Sequence, residues 1–275
     1  MGIGQLLRRI QGIAVKDVQN MHDSRNIDID RVGVKNVKYP ITVLDKANGF
    51  QNTVATINMY VSLPHNYKGT HMSRFLEILH SNQRMISMRN FAQILREMKQ
   101  RLNAESARLE VSFPYFIKKD APITGTPGYM EYMCGFAGEM DDVHGVKHFT
   151  VSVSVPVTTL CPCSREISEQ GAHNQRGFVK VAVDFKRFFW IEDLITLIEE
   201  SSSCDIYSVL KREDEKFVTE KAFQNPKFVE DVVRDVAERL MQHENITHYT
   251  IEAENFESIH NHSAYAFLEK TITEG

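Results

Sequence analysis

The stretch Phe149-Thr-Val-Ser-Val-Ser-Val155 alternates apolar with small polar side chains, and Phe178-Val-Lys-Val-Ala-Val-Asp-Phe185 repeats that alternation further along the chain. A period of two with many β-branched residues is typical of strands that bury one face and expose the other. Similar but less regular patterns predict further strands over 39–44, 53–63, 108–117, 129–139, 249–254 and 264–268.

Helical patterns separate these strands in pairs. Apolar residues recur at helical spacing from Phe75 to Leu79 and from Phe91 to Met98, and again over 191–200 and 226–243. Asn225 and Pro226 are interpreted as the N-cap and first residue of the last helix. Each half of the chain therefore reads strand–strand–helix–helix–strand–strand, a duplicated α+β plan without residue-level identity between the halves.

This order predicts antiparallel sheets with helices packed on one face. Residues 1–38 are polar and show little periodicity, so they are interpreted as an N-terminal arm. Residues 39–142 and 143–275 form the two predicted modules, joined in one compact unit. Because antiparallel sheets of this kind keep open edges, we expect further subunits to join at those edges.

Composition narrows the classes of function. The chain has 275 residues, 42% of them hydrophobic, with a net charge of -4, which gives no reason to expect nucleic acid or membrane as a partner. Four cysteines without a secreted-type framework favour a reducing compartment. With no signal-peptide pattern and no long apolar run, the expected location is the cytoplasm.

The segment Leu160-Cys-Pro-Cys-Ser-Arg-Glu-Ile-Ser-Glu-Gln-Gly-Ala-His173 is the strongest chemical signal. Cys161, Cys163 and His173 lie in a stretch too polar and rich in turns to be core. Thiolate and imidazole together select zinc-like or iron-like metals, and both also perform acid–base or nucleophilic work. A redox pair or an incidental loop remains the alternative for Cys-Pro-Cys, and Cys204 is interpreted as structural.

A second cluster, Glu257-Ser-Ile-His260-Asn-His262, adds carboxylate and imidazole groups. Glu257 and His260 are three residues apart and can face one point. The combined set of sulfur, nitrogen and oxygen donors suits Zn²⁺, Fe²⁺ or Mn²⁺. For His262 we favour a solvated surface position.

Other polar residues have weaker signals. Glu230 lies at the edge of the apolar stripe of the last helix, where spacing alone favours an exposed ion pair with Arg234 over a functional role. Two basic segments are candidates for phosphate, 69–74 before a helix and the mixed-charge run 209–216, which more often forms a solvated face. No Walker loop or dinucleotide fingerprint is present, which argues against those nucleotide-binding classes.

Taken together, these segments resemble the type IB family of GTP cyclohydrolase I over most of the chain. The resemblance is carried by Gly69-Thr-His-Met-Ser-Arg-Phe75, Leu160-Cys-Pro-Cys-Ser164, Gly171-Ala-His-Asn-Gln-Arg176, Leu210-Lys-Arg-Glu-Asp-Glu-Lys216, Asn225-Pro-Lys-Phe-Val-Glu-Asp231 and Glu257-Ser-Ile-His-Asn-His262. It implies two tandem tunnelling-fold modules per subunit and a barrel-like homo-oligomer, expected to be a tetramer, with active sites between subunits.

The resemblance also implies an activity and a set of roles. GTP and water would give 7,8-dihydroneopterin triphosphate and formate, the entry to pterin and folate biosynthesis, with a divalent Zn, Mn or Fe ion as cofactor. The implied catalytic residues are Cys161, His173 and His260; the implied metal ligands are Cys161, His173, Glu257, His260 and Glu215; and the implied substrate contacts are Glu230 for the guanine and His71, Arg74, Lys211 and Arg212 for the triphosphate.

One departure from the type IA enzymes leaves the metal open. Those enzymes carry a Cys-x-x-His pair at zinc, whereas here Cys161 is followed by Pro, Cys and Ser, so carboxylates are expected to complete the site and Cys163 to stand beside it. Two alternatives compete: a nitrile reductase of the same fold that acts on a deazaguanine, and a non-enzymatic binding module stapled by metal.

Overall fold

A computed structural model describes residues 18–19, 21–82 and 85–272, except for the side chain of Lys147. The elements, in chain order, are β1 (Ile29–Asp45), β2 (Gly49–Leu63), α1 (Met72–Ser81), α2 (Phe91–Leu102), β3 (Ser106–Asp120), β4 (Pro127–Asp141), β5 (Gly145–Leu160), α3 (Pro162–Ile167), β6 (Asn174–Phe185), α4 (Ile191–Glu200), α5 (Arg212–Gln224), α6 (Val229–Met241), β7 (Ile246–Phe256) and β8 (Ser263–Thr271).

The strands form one sheet in the order β1 to β8, and every neighbouring pair is antiparallel. The predicted boundary between residues 142 and 143 falls in the turn between β4 and β5, which pair from Met133 with Ser154 to Asp141 with Gly145. The two halves therefore share a continuous sheet. The α+β class with helices on one face is confirmed, while the division into two modules stays a prediction.

The core lies between that sheet and its helices. In β5 the alternation seen in the sequence puts Val151, Val153, Val155 and Val157 in the core, each 1% exposed or less. The helices bury their apolar stripes against the same face, as Phe91 does with its ring centroid 4.7 Å from that of Phe149. Within the described residues, no helix has both the length and the apolar character needed to cross a membrane.

The antiparallel order gives the sheet two ends. The upper end carries the β1–β2 turn, the β3–β4 turn at residues 121–126, and the β5–β6 and β7–β8 loops. The lower end carries residues 64–71 after β2, the β4–β5 turn and the start of β7. A strand of 16 residues such as β5 separates these ends by roughly 50 Å at about 3.3 Å per residue.

The predicted arm over residues 1–38 is wrong for its last part, because β1 begins at Ile29. A bulge explains why the pattern predicts only the second part of this strand, over 39–44: the pairing with β2 shifts between Val34 and Val37, and Asn36 adopts φ 58° with its N–H bonded to Asn58 Oδ1. The residues that face the core therefore change from even numbers (Val32, Val34) to odd numbers (Val37, Tyr39) along the strand. This change interrupts the alternation of apolar and polar residues by which a strand is recognised in the sequence. Residues 1–17 lie outside the described part of the chain.

The predicted start of the last helix is also wrong. Asn225 is the C-cap of α5 and its side chain donates 2.9 Å to the Ser202 carbonyl, so it does not cap α6. Lys227 N–H donates 3.0 Å to the Leu160 carbonyl, and α6 begins only at Val229. Tertiary hydrogen bonds of the backbone here compete successfully with the helical signal of Asn225 and Pro226.

Helix α5 was not predicted, because the run 209–216 was interpreted as a solvated face. Its buried side is narrow and consists of Asp214 and Ala222, with Val218 partly buried. Two or three buried positions among many charges give almost no apolar period. This helix nevertheless lies beside the chemical segment of the sequence.

Candidate functional site

Two loops carry the predicted chemistry, and both lie at the upper end of the sheet. Residues 161–173 connect β5 to β6, and residues 257–262 connect β7 to β8. Since β6 and β7 are hydrogen-bonded neighbours, the loops emerge side by side. Ser258 Oγ lies 3.4 Å from His173 Nδ1, a contact between residues 85 positions apart.

Cys161 and His173 close the first loop through Ser164. Cys161 N–H donates 3.1 Å to the His173 carbonyl, and the Ser164 hydroxyl donates 3.2 Å to the Cys161 carbonyl while it accepts from His173 N–H at 3.1 Å. The Cys161 sulfur caps α3 and accepts from Ser164 N–H at 3.5 Å. These bonds keep the thiol and the imidazole at the mouth of the same loop.

The side-chain amide of Gln175 orients the imidazole ring of His173. Its Nδ1 lies 3.0 Å from Gln175 Oε1, and Gln175 Nε2 in turn donates 3.0 Å to Thr159 Oγ1. Gln175 is 8% exposed, so its orientation is set by buried partners. With Nδ1–H donating to Gln175, Nε2 keeps its lone pair for a ligand, the arrangement usual for metal-binding histidines.

Glu257 presents an unpaired oxygen in the second loop. Its side chain is 14% exposed and Oε2 lies 3.7 Å from His260 Nδ1, beyond hydrogen-bond distance. Within the described residues this buried oxygen has no hydrogen-bond partner. A buried carboxylate oxygen without a partner is unfavourable unless a cation or proton supplies one. His260 is more exposed and stacks on His262, with ring centroids 5.2 Å apart.

Glu215 approaches the loop on α5. Val218 and Ala222 of this helix pack with Leu160 and Ala172, the residues next to Cys161 and His173. Residues three, four and seven apart lie on one helical face, so Glu215 shares the face of Val218 and Ala222. Its side chain is exposed at the start of the helix.

Glu230 is exposed in the first turn of α6, shortly after the Lys227 N–H bond to the Leu160 carbonyl. The ion pair with Arg234 that spacing favoured is not formed. Arg234 instead lies 3.3 Å from Asp231, and Glu230 has no hydrogen-bond or ion-pair partner within the described ranges. A carboxylate in this position is available to a ligand.

The four residues expected at the triphosphate divide between the two ends. Lys211 is the N-cap of α5 and Arg212 its first residue, both exposed beside the β3–β4 turn at the upper end. His71 caps α1, and Arg74 donates 3.2 Å to the Arg101 carbonyl, both at the lower end. Within one chain, His71 and Arg74 therefore lie at the opposite end of the sheet from Cys161, because β2 and β5 run in opposite senses. The resemblance implies sites between subunits, and the triphosphate roles of the four residues stay predictions.

The donors partly fit a metal ion. Cys161 Sγ, His173 Nε2 and Glu257 Oε2 are groups of the right chemistry on adjoining loops, and Glu257 Oε2 is a buried oxygen in need of a partner. Across residues 18–19, 21–82 and 85–272, however, no three His, Cys, Asp or Glu side chains stand close enough together to hold a metal.

The other cysteines are of a different kind. Cys134 and Cys204 are buried, and burial raises the pKa of both thiols, which keeps them protonated. Cys163 is exposed and Cys161 half-buried. Accessible thiols in the described part of the chain are therefore confined to the 161–173 loop.

A cavity of about 800 Å³ also opens at the upper end, lined mostly by residues of the first half of the chain. It lies beside the β1–β2 turn, and Phe50, Tyr115, Phe116, Tyr129 and Glu192 are among its lining residues. None of the predicted site residues lines it.

Three residues around the site were not predicted to have roles: Ser164, Gln175 and Ser258. All three lie within motifs that carry the family resemblance, between or beside the predicted ligands. The bond that fixes Gln175 to Thr159 depends on the pairing of β6 with β5, and the contact of Ser258 with His173 depends on the pairing of β6 with β7; no local sequence signal reports either pairing.

Comparisons with known proteins agree with the resemblance. The family model described as type I GTP cyclohydrolase folE2 matches residues 15–266. A protein of Syntrophobacter fumaroxidans named GTP cyclohydrolase FolE2 is 58% identical to this chain over 255 residues, which cover 93% of this chain and 99% of that relative. The corresponding protein of Desulfosudis oleivorans is 59% identical over 254 residues, covering 92% and 97%.

Among solved structures, a uricase from Bacillus fastidious superposes with a TM-score of 0.55 at 8% identity, covering 88% of this chain and 93% of that one. At this identity the similarity concerns the fold alone. It confirms the predicted tunnelling fold.

Proposed function

The chain belongs to the type I GTP cyclohydrolase FolE2 family, and from this membership we propose that it converts GTP and water to 7,8-dihydroneopterin triphosphate and formate. Water attacks C8 of the guanine, the opened ring loses formate, the ribose rearranges and a six-membered ring closes. The observation that carries the proposal is the contact between the 161–173 and 257–262 loops, where thiol, imidazole and carboxylate groups adjoin.

A divalent metal ion is part of this proposal. Cys161 Sγ, His173 Nε2 and the carboxylates of Glu215 and Glu257 would hold it, with His260 as a further donor. Bound there, such an ion would lower the pKa of water to about 7 and so provide hydroxide near neutral pH. Support comes from the buried oxygen of Glu257, which has no hydrogen-bond partner among the described residues, and from the face of α5 that Glu215 shares with Val218.

Proton transfer is assigned to the imidazoles. His260 is exposed and lies beside Glu257, so it can exchange protons with solvent close to the proposed metal ligands. His173 is held by Gln175 at Nδ1, which commits its other nitrogen to the reacting side. We assign His260 to proton delivery and His173 to metal binding.

Glu230 is proposed to recognise the guanine. A carboxylate accepts two N–H groups of guanine in a bidentate, charge-assisted contact. The exposed, unpartnered side chain in the first turn of α6 supports this role, since no existing bond must be broken when the base binds.

The triphosphate requires a second subunit in this proposal. His71 and Arg74 lie at the lower end of the sheet, away from Cys161, whereas Lys211 and Arg212 lie at the upper end. A homo-oligomer, proposed as a tetramer, would bring the lower end of one chain to the upper end of the next. Antiparallel extension of the sheet through like edges, β1 with β1 or β8 with β8, would give this arrangement.

The test is to incubate the purified protein with GTP and Zn²⁺, Mn²⁺ or Fe²⁺ and to measure formate and pterin fluorescence. Formate and dihydroneopterin triphosphate are expected in equal amounts, and removal of the metal by a chelator should abolish turnover without unfolding the protein. A protein that stays folded and binds metal but releases no formate would contradict the proposal.

The same assay separates the alternatives. A deazaguanine nitrile reductase would oxidise NADPH in the presence of the nitrile and would need no metal. A metal-stapled binding module would unfold on chelation and show no turnover. Membership in the cyclohydrolase family argues against both.

A further inference from the structure

Asp214 is a fully buried carboxylate in the first turn of an otherwise charged and exposed helix. Its side chain is 0% exposed. Oδ1 accepts from the backbone N–H groups of Ile123 and Thr124 at 2.8 and 2.9 Å. Oδ2 accepts from the Thr124 hydroxyl at 2.7 Å and from Lys211 N–H at 2.9 Å. All four contacts have good geometry for hydrogen bonds to a carboxylate.

These bonds join distant parts of the chain. Ile123 and Thr124 belong to the β3–β4 turn in the first half, and Asp214 lies 90 residues later in the second half. The turn is itself well defined: Ala121 N–H donates 2.9 Å to the Thr126 carbonyl, and Gly125 adopts φ +66°. Asp214 thus attaches the start of α5 to a turn whose own conformation is set by hydrogen bonds.

The far half of α5 is tied to β3 as well. Lys221 donates 3.0 Å to Asp205, and Asp205 lies 3.2 Å from Lys119 of β3. Two separated attachments to the same hairpin prevent the helix from rotating or sliding as a rigid body. The first-turn attachment is the one next to the residues of interest, since Lys211, Arg212 and Glu215 all lie within three residues of Asp214.

We propose that Asp214 is a positioning residue, through which the β3–β4 turn of the first half sets the place of Glu215, Lys211 and Arg212 at the active site of the second half. The inference rests on the proposed function of those three residues. Partners that orient metal ligands are typically worth 10–100-fold in metal affinity or activity, and a displacement of about 1 Å can cost about 100-fold in rate.

Thr124 provides the sharper test because its backbone contacts survive substitution. Thr124→Val removes the hydroxyl bond to Asp214 and the 2.9 Å contact with the Thr126 hydroxyl in a side chain of similar shape, whereas Thr124→Ser retains both. Asp214→Asn replaces one acceptor by an amide that faces two donors. The matched control is Asp45→Asn, which alters another buried turn carboxylate that accepts backbone N–H bonds at 2.9 and 2.7 Å.

The measurements are Mn²⁺ affinity by chelator competition, KM and kcat for GTP, and hydrogen exchange of the amides in 211–215. Asp214→Asn should weaken Mn²⁺ binding by roughly 10–100-fold, and Thr124→Val by less. Both should raise KM and speed exchange in 211–215. Thr124→Ser and Asp45→Asn should keep wild-type Mn²⁺ affinity and exchange in this segment.

A purely structural role would lower the melting temperature of Asp214→Asn and Asp45→Asn alike and leave Mn²⁺ affinity and KM unchanged, and this outcome would overturn the proposal. If Asp214→Asn does not fold, Thr124→Val against Thr124→Ser decides the question. If the wild type releases no formate, the proposed function fails, while exchange in 211–215 and Mn²⁺ affinity still decide the positioning role.

Discussion

Cys161 and His173 are held in place by hydrogen bonds that the chain itself supplies. Backbone bonds through Ser164 close the loop, and Gln175 orients the imidazole from a buried position. A preorganised thiol and imidazole need little rearrangement when a ligand binds. The conformational entropy of these side chains is therefore lost during folding and does not reduce the affinity for the ligand. The sequence predicted both residues, but their orienting partners became evident only in the fold.

Cys161→Ala should therefore remove a ligand and the 3.5 Å contact of its sulfur with Ser164 N–H, while the hydrogen bonds of the Cys161 backbone to His173 and Ser164 stay. We expect kcat/KM to fall by roughly 100-fold or more, together with weaker metal retention. Metal content after dialysis and formate release measure this. Cys163→Ala is the control, since it makes the same chemical change at an exposed thiol two residues away; equal losses in both variants would remove Cys161 from the site.

Glu230→Gln tests the guanine contact. A hydrogen bond to a charged group is worth about 1.5–3 kcal/mol, so KM for GTP should rise roughly 10–150-fold. Stability should change by less than about 0.5 kcal/mol, because the side chain is exposed and unpartnered. Glu238→Gln, an exposed glutamate near the end of the same helix, should leave KM unchanged. A much lower melting temperature with normal GTP binding would assign Glu230 to structure instead.

The pairing of β6 with β7 is the element-level feature that brings the two loops together. At Gly177 these strands approach so closely that an added Cβ would lie 2.6 Å from the Glu254 carbonyl oxygen. The pairing of Gly177 with Asn255 is only a few residues from His173 and Glu257. Close approach of backbones at this point thus contributes to the spacing of the site.

Gly177→Ala should destabilise the protein by about 1–3 kcal/mol, because the methyl group meets the backbone oxygen of Glu254 at 2.6 Å as well as the buried Asn255 side chain. Urea unfolding measures the loss. Gly69→Ala serves as control, since the nearest atom to its Cβ would be 3.7 Å away, in ordinary contact. Equal stability of the two variants would show that the strands separate without cost.

At the scale of the whole molecule, buried charges join the two halves. Lys119 of β3 lies 2.8 Å from Glu199 and 3.2 Å from Asp205, and all three side chains are less than 20% exposed. Burial raises the pKa of Asp205, but the ammonium groups of Lys119 and Lys221 outweigh it and lower the pKa overall. The ionised cluster links the sheet of the first half to α4 and α5 of the second.

Because of this cluster, the free energy of unfolding should depend on pH in the acidic range. A carboxyl group whose pKa is lower in the folded than in the unfolded state stabilises the fold above its unfolded pKa of about 3.9, and the contribution is lost as pH falls through the folded value. Unfolding free energies measured by urea from pH 7 down to pH 3 should fall less steeply in Asp205→Asn than in the wild type. Asp193→Asn, which alters an exposed ion pair with Lys46, is the control. Parallel curves for all three proteins would contradict the prediction.

The placement of His71 at the lower end predicts complementation between subunits. Cys161→Ala and His71→Ala should each be inactive alone, because in a homo-oligomer each substitution removes a residue from every active site. When both are unfolded and refolded together, mixed oligomers should regain part of the activity, since some sites then combine an intact Cys161 with an intact His71 of another chain. Formate release measures the recovery. Absence of recovery despite mixed oligomers would place the whole site in one chain.

The sequence by itself determined the strands, most helices and the identity of the chemical groups, because period-two and period-3.6 patterns and the spacing of Cys161, Cys163 and His173 are local properties. The bulge at Asn36 and the charged helix α5 escaped it, since both interrupt or lack an apolar period. Only the tertiary structure decided which of the distant residues meet. Strand pairing brings Ser258 to His173 and Asp214 to Thr124 but sends His71 to the other end, and such contacts depend on packing across some 85–90 residues of chain.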